Sequence, residues 1–156
     1  MTPQPTFVTQ QGHKKLEAEL DFLRTTRRKE VANRLHQALT EGDILENAEL
    51  EDARNEQAFV EGRILTLEQM LGTAVIIIPS ANSHGIVGLG SSVTIAEGDE
   101  PAETYFIVGS AEADPANGHI SNESPLGRAL LGKKVGDIAA VHAPAGVLAF
   151  KIIEIQ

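Results

Sequence analysis

The chain has 156 residues, a formal net charge of −9 and no cysteine. This length allows one medium domain or two small ones, and 42% hydrophobic with 22% charged residues is typical of a folded chain rather than a disordered one. The negative charge argues against a protein that coats nucleic acid with its whole surface. The lack of cysteine excludes disulfides, thiolate nucleophiles and cysteine zinc sites, and it fits the cytosol.

The sequence shows no targeting or membrane segment. Residues 1–5 lack the basic region and apolar stretch of a signal peptide. The longest apolar run, residues 74–79, has the length of a strand and is far shorter than the roughly 18 residues that a membrane helix needs. We therefore expect a cytoplasmic protein without a membrane partner.

The first 72 residues predict two long helices. The first begins after the N-cap Thr9 and continues to about Thr40, where Gly42 interrupts it. The second runs from about Glu46 to Leu71 and stops at Gly72. Each helix carries an apolar stripe at helical spacing: Leu16, Leu20, Leu23, Val31, Leu35 and Leu39 in the first, and Ala53, Val60, Ile64, Leu67 and Leu71 in the second. Two helices of matched length with a tight turn between them predict an antiparallel coiled-coil hairpin.

The composition changes near residues 72–80, after which glycine and proline recur every few residues. β-Branched runs there predict an antiparallel sheet, and a short helix is predicted at Leu126–Leu131 after Ser124-Pro125. The predicted strands are Thr73–Ile78, Ser91–Ala96, Thr104–Val108, Ile138–His142 and Val147–Ile155. The fold class is therefore α+β, with a helical domain over residues 1–75 and a sheet domain over residues 76–156.

The predicted turn between the helices is unusually acidic. Seven acids and one base, Arg54, lie between Glu41 and Glu56. If Asp43 lies in the turn and Glu46 opens the second helix, their carboxylates can converge into a weak half-site for Mg²⁺, which prefers oxygen ligands and keeps several waters. The alternative is that these acids only favour the helix dipole and cap free amides. We assign the other five acids to solvation of the tip and to its local electric field.

The first helix carries a basic cluster, defined by Arg24, Arg27, Arg28, Lys29 and Arg34. It is suited to nucleic-acid phosphate or to an acidic protein surface. The alternative is a solvated face whose cations pair with acids of the second helix. Arg54, alone among the acids, is either an RNA contact or an internal salt-bridge partner.

Two long motifs resemble a known family. The first is Gly42-Asp43-x-x-Glu46-Asn47-Ala48-Glu49, followed by Ala53-Arg54 and by Glu61-Gly62-Arg63-Ile64. The second is Ile120-Ser121-x-x-Ser124-Pro125-x-x-Arg128-Ala129-Leu130-Leu131-Gly132-Lys133. Together they resemble the signatures of the bacterial Gre transcript-cleavage factors, nearest the GreA branch, over nearly the whole chain and in register.

The resemblance implies an N-terminal coiled coil and a C-terminal domain with an FKBP-like fold. It implies regulation of transcription elongation through RNA polymerase and DNA binding, by a monomer whose coiled coil enters the secondary channel of the polymerase. There the tip acids help hold a second Mg²⁺, shared with the polymerase, and the polymerase cuts backtracked RNA at its 3′ end. Such a protein is a cofactor of the polymerase and not an enzyme alone.

Family roles carry over to individual positions of this sequence. Asp43 and Glu46 correspond to the two tip acids, and Asn47 shapes the tip. Arg54 corresponds to a basic position that faces the RNA. The loop Glu123-Ser124-Pro125 corresponds to the part of the sheet domain that binds the rim coiled coil of the largest polymerase subunit.

Three other functions remain alternatives. A Gre-fold paralogue would occupy the same channel and inhibit transcription without stimulating cleavage, although the intact Asp43-x-x-Glu46 pair argues against it. An adaptor would dock the hairpin on a different protein. A stand-alone Mg²⁺ nuclease has the least support, because one pair of carboxylates without further ligands should not cut RNA.

Overall fold

The computed structural model describes residues 2–41, 48–78 and 85–156. The chain forms two compact units. One comprises His13–Thr73 and is helical. The other comprises the segment up to Gly12 together with Ala74–Gln156, and it holds the sheets.

The helical unit consists of long helical segments. Helix α1 spans Gln10–Phe22, a π-helical turn follows over Leu23–Arg27, and α2 spans Arg28–Glu41. Helix α3 spans Ala48–Gly72. The two predicted helices are therefore confirmed where the structure describes them, and α3 ends at the predicted glycine.

The buried residues follow a seven-residue repeat. In α3 the buried positions Ala53, Val60 and Leu67 are seven residues apart, as in a coiled-coil seam. The first helical stretch repeats the interval of seven between Leu16 and Leu23, and again between residues 31 and 38. The interval from residue 23 to residue 31 is eight. A π turn holds one more residue than an α turn, so the turn at Leu23–Arg27 keeps both halves of the stripe on the same side.

The predicted stripe of the first helix is wrong at its end. Leu39 is 47% exposed, whereas Ala38 is 6% exposed. The seven-residue repeat places residue 38 and not residue 39 in line with Val31. Ala38, and not Leu39, is therefore the buried residue near the end of α2.

The second unit contains a five-stranded sheet. Its strands are β3 (Ser92–Ala96), β4 (Glu103–Val108), β5 (His119–Ser121), β6 (Ile138–Ala143) and β7 (Gly146–Ile155), in the order β5-β4-β3-β7-β6. Every pair is antiparallel except β4 with β5, which is parallel. Helix α4 spans Pro125–Leu130. The α+β class, with a helical hairpin and a sheet domain with one short helix, is confirmed, and β5 is a strand that the sequence pattern did not predict.

A separate two-stranded sheet joins the N-terminal segment to this unit. Strand β1 (Thr6–Thr9) pairs in parallel with β2 (Ala74–Ile77). The predicted division at residues 75 and 76 thus falls inside β2. Because the segment up to Gly12 groups with the sheets, the helical unit begins only at His13.

The core of the second unit lies between α4 and one face of the five-stranded sheet. Alternate strand residues point into it, as the period of two requires. Its fully or almost fully buried members are Val87, Val93, Ile95, Ile107, Ile120, Leu130, Ala139 and Ile152. This packing fixes the start of α4, where the second sequence motif lies.

Within the sheet-containing unit, one carboxylate holds the residues at the start of α1. The Thr9 hydroxyl accepts a hydrogen bond from the Gly12 amide at 3.0 Å, which confirms Thr9 as the N-cap. The Thr9 amide and hydroxyl both donate to Glu112, each at 2.6 Å. A β-carbon on Gly12 would lie 2.0 Å from the Glu112 carboxylate, so only glycine leaves room for this contact.

In the described ranges no helix combines the length and the hydrophobicity needed to cross a lipid bilayer.

Candidate functional site

The structure describes only the flanks of the predicted acidic turn. Asp43, Glu46 and Asn47 lie outside the described residues, between the end of α2 and Ala48, the first residue of α3. What the structure shows is the scaffold that carries them. Among residues 2–41, 48–78 and 85–156, no group of three or more histidine, aspartate or glutamate side chains is arranged to hold a metal ion.

One arginine of α2 binds three carboxylates of α3. Arg34 donates through Nε to Glu49 at 2.5 Å, through Nη2 to Asp52 at 2.5 Å and through Nη1 to Glu56 at 2.6 Å. Spacings of three and four residues place these acids along one face of α3. The hydrogen bonds to Glu49 and Asp52 raise the pKa of Arg34 above its usual range. We call these four residues the Arg34 cluster.

The Arg34 cluster changes the interpretation of the acidic run. Three of the five acids assigned to solvation and local field are instead held by a guanidinium. Like charges at this spacing repel each other along a helix, and a shared cation offsets the repulsion. The first two turns of α3, which directly follow the tip motif, are thereby bound to α2.

The other arginines of the basic cluster are also paired with acids. Arg28 binds Glu61 through two hydrogen bonds, at 2.8 and 2.9 Å. Further ion pairs join Arg24 to Glu68, Arg27 to Glu30 and Glu56, and Arg63 to Glu19. From Arg24–Glu68 through Arg28–Glu61 to Arg34–Glu49, the number of the α3 partner falls as the number of the arginine rises, which is the pattern of antiparallel helices. The structure therefore favours the ion-paired face over an open phosphate-binding patch.

Arg34→Gln is expected to destabilise the first turns of α3, because three neighbouring carboxylates would lose their common cation. Amide hydrogen exchange of residues 48–56 should become faster, and 1 M salt should reduce the difference from the unmodified chain. Arg54→Gln is the matched control, since it removes the same charge from the same part of the hairpin. Equal exchange rates in the two variants would contradict a structural role for the Arg34 cluster.

Glu61→Gln is expected to reduce the loss of stability in acid. The hydrogen bond from Arg28 lowers the pKa of Glu61 below its usual 4.5. A carboxyl group whose pKa is lower in the folded state stabilises the fold above its unfolded pKa, and this contribution disappears as pH falls through the folded pKa. The measurement is the free energy of unfolding in urea at several pH values between about 3 and 7. Below about pH 4.5 this free energy should fall less steeply for Glu61→Gln than for the control Glu51→Gln. Superimposable profiles would exclude the Arg28–Glu61 contribution.

Arg54 differs from the other arginines of the hairpin. It is exposed on α3 and forms no hydrogen bond or ion pair with any residue in the described part of the chain. The salt-bridge alternative for Arg54 thus finds no partner there. Its guanidinium points to solvent, as an RNA-contacting group would require.

The loop before α4 is built around one serine. The Ser124 hydroxyl accepts from the Gly127 amide at 3.0 Å, which caps α4, and it donates to the Ser121 carbonyl at 2.7 Å. Pro125 occupies the first turn, where no amide donor is needed. The Glu123 amide is bound by the Ser121 hydroxyl at 3.1 Å. The side chains of Glu123 and Pro125 are exposed on this fixed backbone.

Both halves of the chain match family models. Residues 6–76 match the model described as transcription elongation factor, N-terminal, and residues 82–156 match transcription elongation factor, GreA/GreB, C-term. The chain belongs to the GreA/GreB family of transcription elongation factors.

Relatives of this family span nearly the full length. Proteins named transcription elongation factor GreA are 50% identical in Thermoanaerobacter pseudethanolicus, covering 97% of this chain and 98% of the relative, and 53% identical in Clostridium botulinum (strain Kyoto / Type A2), covering 96% and 94%. The Chloroflexus aurantiacus protein of the same name is 48% identical, with 100% of both chains covered. A solved structure titled GreA factor homolog 1 (Gfh1) protein of Thermus thermophilus is 31% identical over 98% of this chain and 99% of that chain, with a TM-score of 0.46.

In this member of the GreA/GreB family, the two candidate regions lie in different family domains. Asp43, Glu46, Asn47 and Arg54 fall within the N-terminal match, and the loop Glu123–Pro125 falls within the C-terminal match. The sequence analysis kept ion pairing with acids of the second helix as an alternative, but it did not identify the three acids of α3 that bind Arg34. The available signal was the spacing of Glu49, Asp52 and Glu56, which places three acids on one face of α3 where a cation of the facing helix can reach them.

Proposed function

We propose that this GreA/GreB family factor binds bacterial RNA polymerase through the secondary channel and stimulates the polymerase's own cleavage of backtracked RNA. The observation that carries the proposal is the match of both halves of the chain to the family, with the Asp43-x-x-Glu46 pair retained in the sequence. The chain would act as a cofactor protein, and the polymerase would provide the rest of the active site.

The hairpin supports this function because it can carry a short acidic segment on a rigid support. Helices α2 and α3 border residues 42–47, and the Arg34 cluster binds them together immediately behind that segment. At 1.5 Å per residue, the 25 residues of α3 extend over about 37 Å. A support of this length and small cross-section suits a narrow channel.

The chemistry of Asp43 and Glu46 fits Mg²⁺. Carboxylate oxygens are hard ligands of the kind that Mg²⁺ prefers, and two of them leave coordination positions for waters and for carboxylates of a second protein. When bound, the ion supplies Lewis acidity that lowers the pKa of water. Asp43 and Glu46 would hold the ion and orient its water, and the weak half-site lets the factor leave after cleavage.

Two further regions have defined roles in the proposal. Arg54 has no described partner and is free to contact the phosphates of the backtracked RNA. The loop Glu123-Ser124-Pro125 would bind the rim coiled coil of the largest polymerase subunit. Its hydrogen bonds fix the backbone before binding, which reduces the entropy cost of association.

A cleavage assay tests the proposal. Stalled, backtracked polymerase complexes with 3′-labelled RNA are incubated with Mg²⁺ and the chain, with the chain and RNA alone as a control. We expect faster release of short 3′ fragments from the complexes and no cleavage of RNA without polymerase. Slower elongation without faster cleavage would instead identify an inhibitory factor, and cleavage of free RNA would identify a nuclease.

A further inference from the structure

A small cleft in the sheet-containing unit borders the polymerase-binding loop. Its volume is about 130 Å³, and three separate segments line it: the N-terminal segment with β1, the residues after β4, and the loop before α4. The lining residues are Gln4, Pro5, Phe7, Ser110, Asn122 and Glu123, with Gly109 between the first two segments. Sites for cofactors and drug-sized ligands measure about 300–1,000 Å³, so this cleft suits the end of one side chain.

A close backbone contact forms the cleft. A β-carbon on Gly109 would lie 1.8 Å from the carbonyl oxygen of Phe7, so only glycine lets β1 approach the end of β4 this closely. On the other side, the Asn122 amide donates to the Val108 carbonyl at 2.9 Å. Main-chain contacts therefore hold β1 and Asn122 next to the end of β4.

The lining selects a cation. The carboxylate of Glu123 is exposed and has no hydrogen-bond or ion-pair partner among the residues that the structure describes. Phe7 supplies an aromatic side chain, and aromatic faces attract guanidinium and ammonium groups. Asn122 adds an amide oxygen. Glu123, Asn122 and Phe7 line one opening, and this set of residue types suits a planar guanidinium better than a compact ammonium.

The net negative charge of the surrounding unit also favours a cationic partner. Residues 74–156 contain nine acids and four lysines or arginines, and residues 2–12 contain no charged side chain. The field of this unit therefore favours a basic protein surface over a nucleic-acid backbone.

We propose that this cleft binds an arginine side chain of the protein that the loop Glu123-Ser124-Pro125 contacts, with Glu123 as its ion-pair partner and Phe7 as its stacking surface. The identity of that partner as RNA polymerase rests on the proposed function. The N-terminal residues Gln4–Phe7 thereby become part of the partner-binding surface, although they lie more than 100 positions before the loop in the sequence.

The first test uses a probe that needs no polymerase. The ¹⁵N-labelled full chain is titrated with N-acetyl-arginine amide and, separately, with N-acetyl-citrulline amide, which has the same shape without the charge. We expect saturable shifts at the amides of Phe7, Ser110, Asn122 and Glu123 with arginine only. Glu123→Gln should weaken this binding about fivefold, and Asp99→Asn, an exposed acid in the β3–β4 turn, should not. Equal shifts with citrulline, or shifts spread over all acidic surfaces, would overturn the proposal.

The second test measures the affinity of the whole chain for RNA polymerase. Glu123→Gln and Phe7→Leu should each weaken binding, and Glu123→Gln should also reduce its salt dependence, while Asp99→Asn binds as the unmodified chain does. Failure of the unmodified chain to bind would contradict the proposed function but leave the arginine titration as evidence on the cleft. Normal binding by Glu123→Gln would overturn the arginine site and leave the proposed function intact.

Discussion

Asp43→Asn and Glu46→Gln should each reduce stimulated RNA cleavage at least about 100-fold, because each removes a charged ligand from the proposed two-ligand half-site. A loss of that size corresponds to about 2.7 kcal/mol in the activation free energy. The measurement is the first-order rate of 3′-fragment release from backtracked complexes at saturating factor and fixed Mg²⁺.

Glu51→Gln is the control for these two variants. It removes one negative charge from the same acidic run, but it lies on α3 outside the motif and outside the Arg34 cluster. We expect its cleavage rate to stay within about twofold of the unmodified chain, since an exposed charge contributes little through solvent. All three variants should bind polymerase normally. A similar loss in all three would indicate a general field effect in place of metal binding.

Gly127→Ala should destabilise the sheet-containing unit by about 3 kcal/mol, in the upper part of the usual cost of overpacking. A β-carbon there would lie 2.0 Å from the Ser121 carbonyl oxygen and 3.0 Å from the Ser124 hydroxyl. The carbonyl belongs to the backbone and already accepts two hydrogen bonds from Ser124, so it cannot move without breaking the loop. Denaturant unfolding monitored on this unit measures the change.

Gly62→Ala provides the matched glycine substitution. Gly62 is exposed in α3, with nothing within 4 Å of an added β-carbon. Alanine should stabilise the helix by about 0.5–1 kcal/mol, because glycine loses more backbone entropy on folding. If both variants changed stability in the same direction, the close packing at Gly127 would not explain the effect. Weakened polymerase binding by folded Gly127→Ala would connect the loop geometry to partner recognition.

The sequence predicted the long elements well because their signals are local. The heptad residues of α3 can be predicted from helical spacing alone, and the end of α3 from the helix-breaking Gly72. The π turn at Leu23–Arg27 was not predicted. The interval of eight residues between the apolar Leu23 and Val31 also fits two α-helical steps of four. Strands β1 and β5 were missed because four and three residues are too short to show alternation.

The candidate site was only partly predictable, for a related reason. The Ser124-Pro125 cap is local and can be read from a serine followed by a proline. The Arg34 cluster and the cleft depend on residues that folding brings together from distant positions, such as Phe7 and Glu123. Their pairing follows from helix register and from the glycine contact at residue 109, which no single segment of the sequence shows.

The central claim is that Asp43 and Glu46 bind the Mg²⁺ that activates water for cleavage. The most direct test is the Mg²⁺ concentration that gives half-maximal stimulated cleavage, compared between the unmodified chain and Asp43→Asn at saturating factor. Loss of one carboxylate should raise that concentration about tenfold or more, with partial recovery of the rate at high Mg²⁺. The same half-maximal concentration in both proteins, with only the maximal rate reduced, would contradict the account.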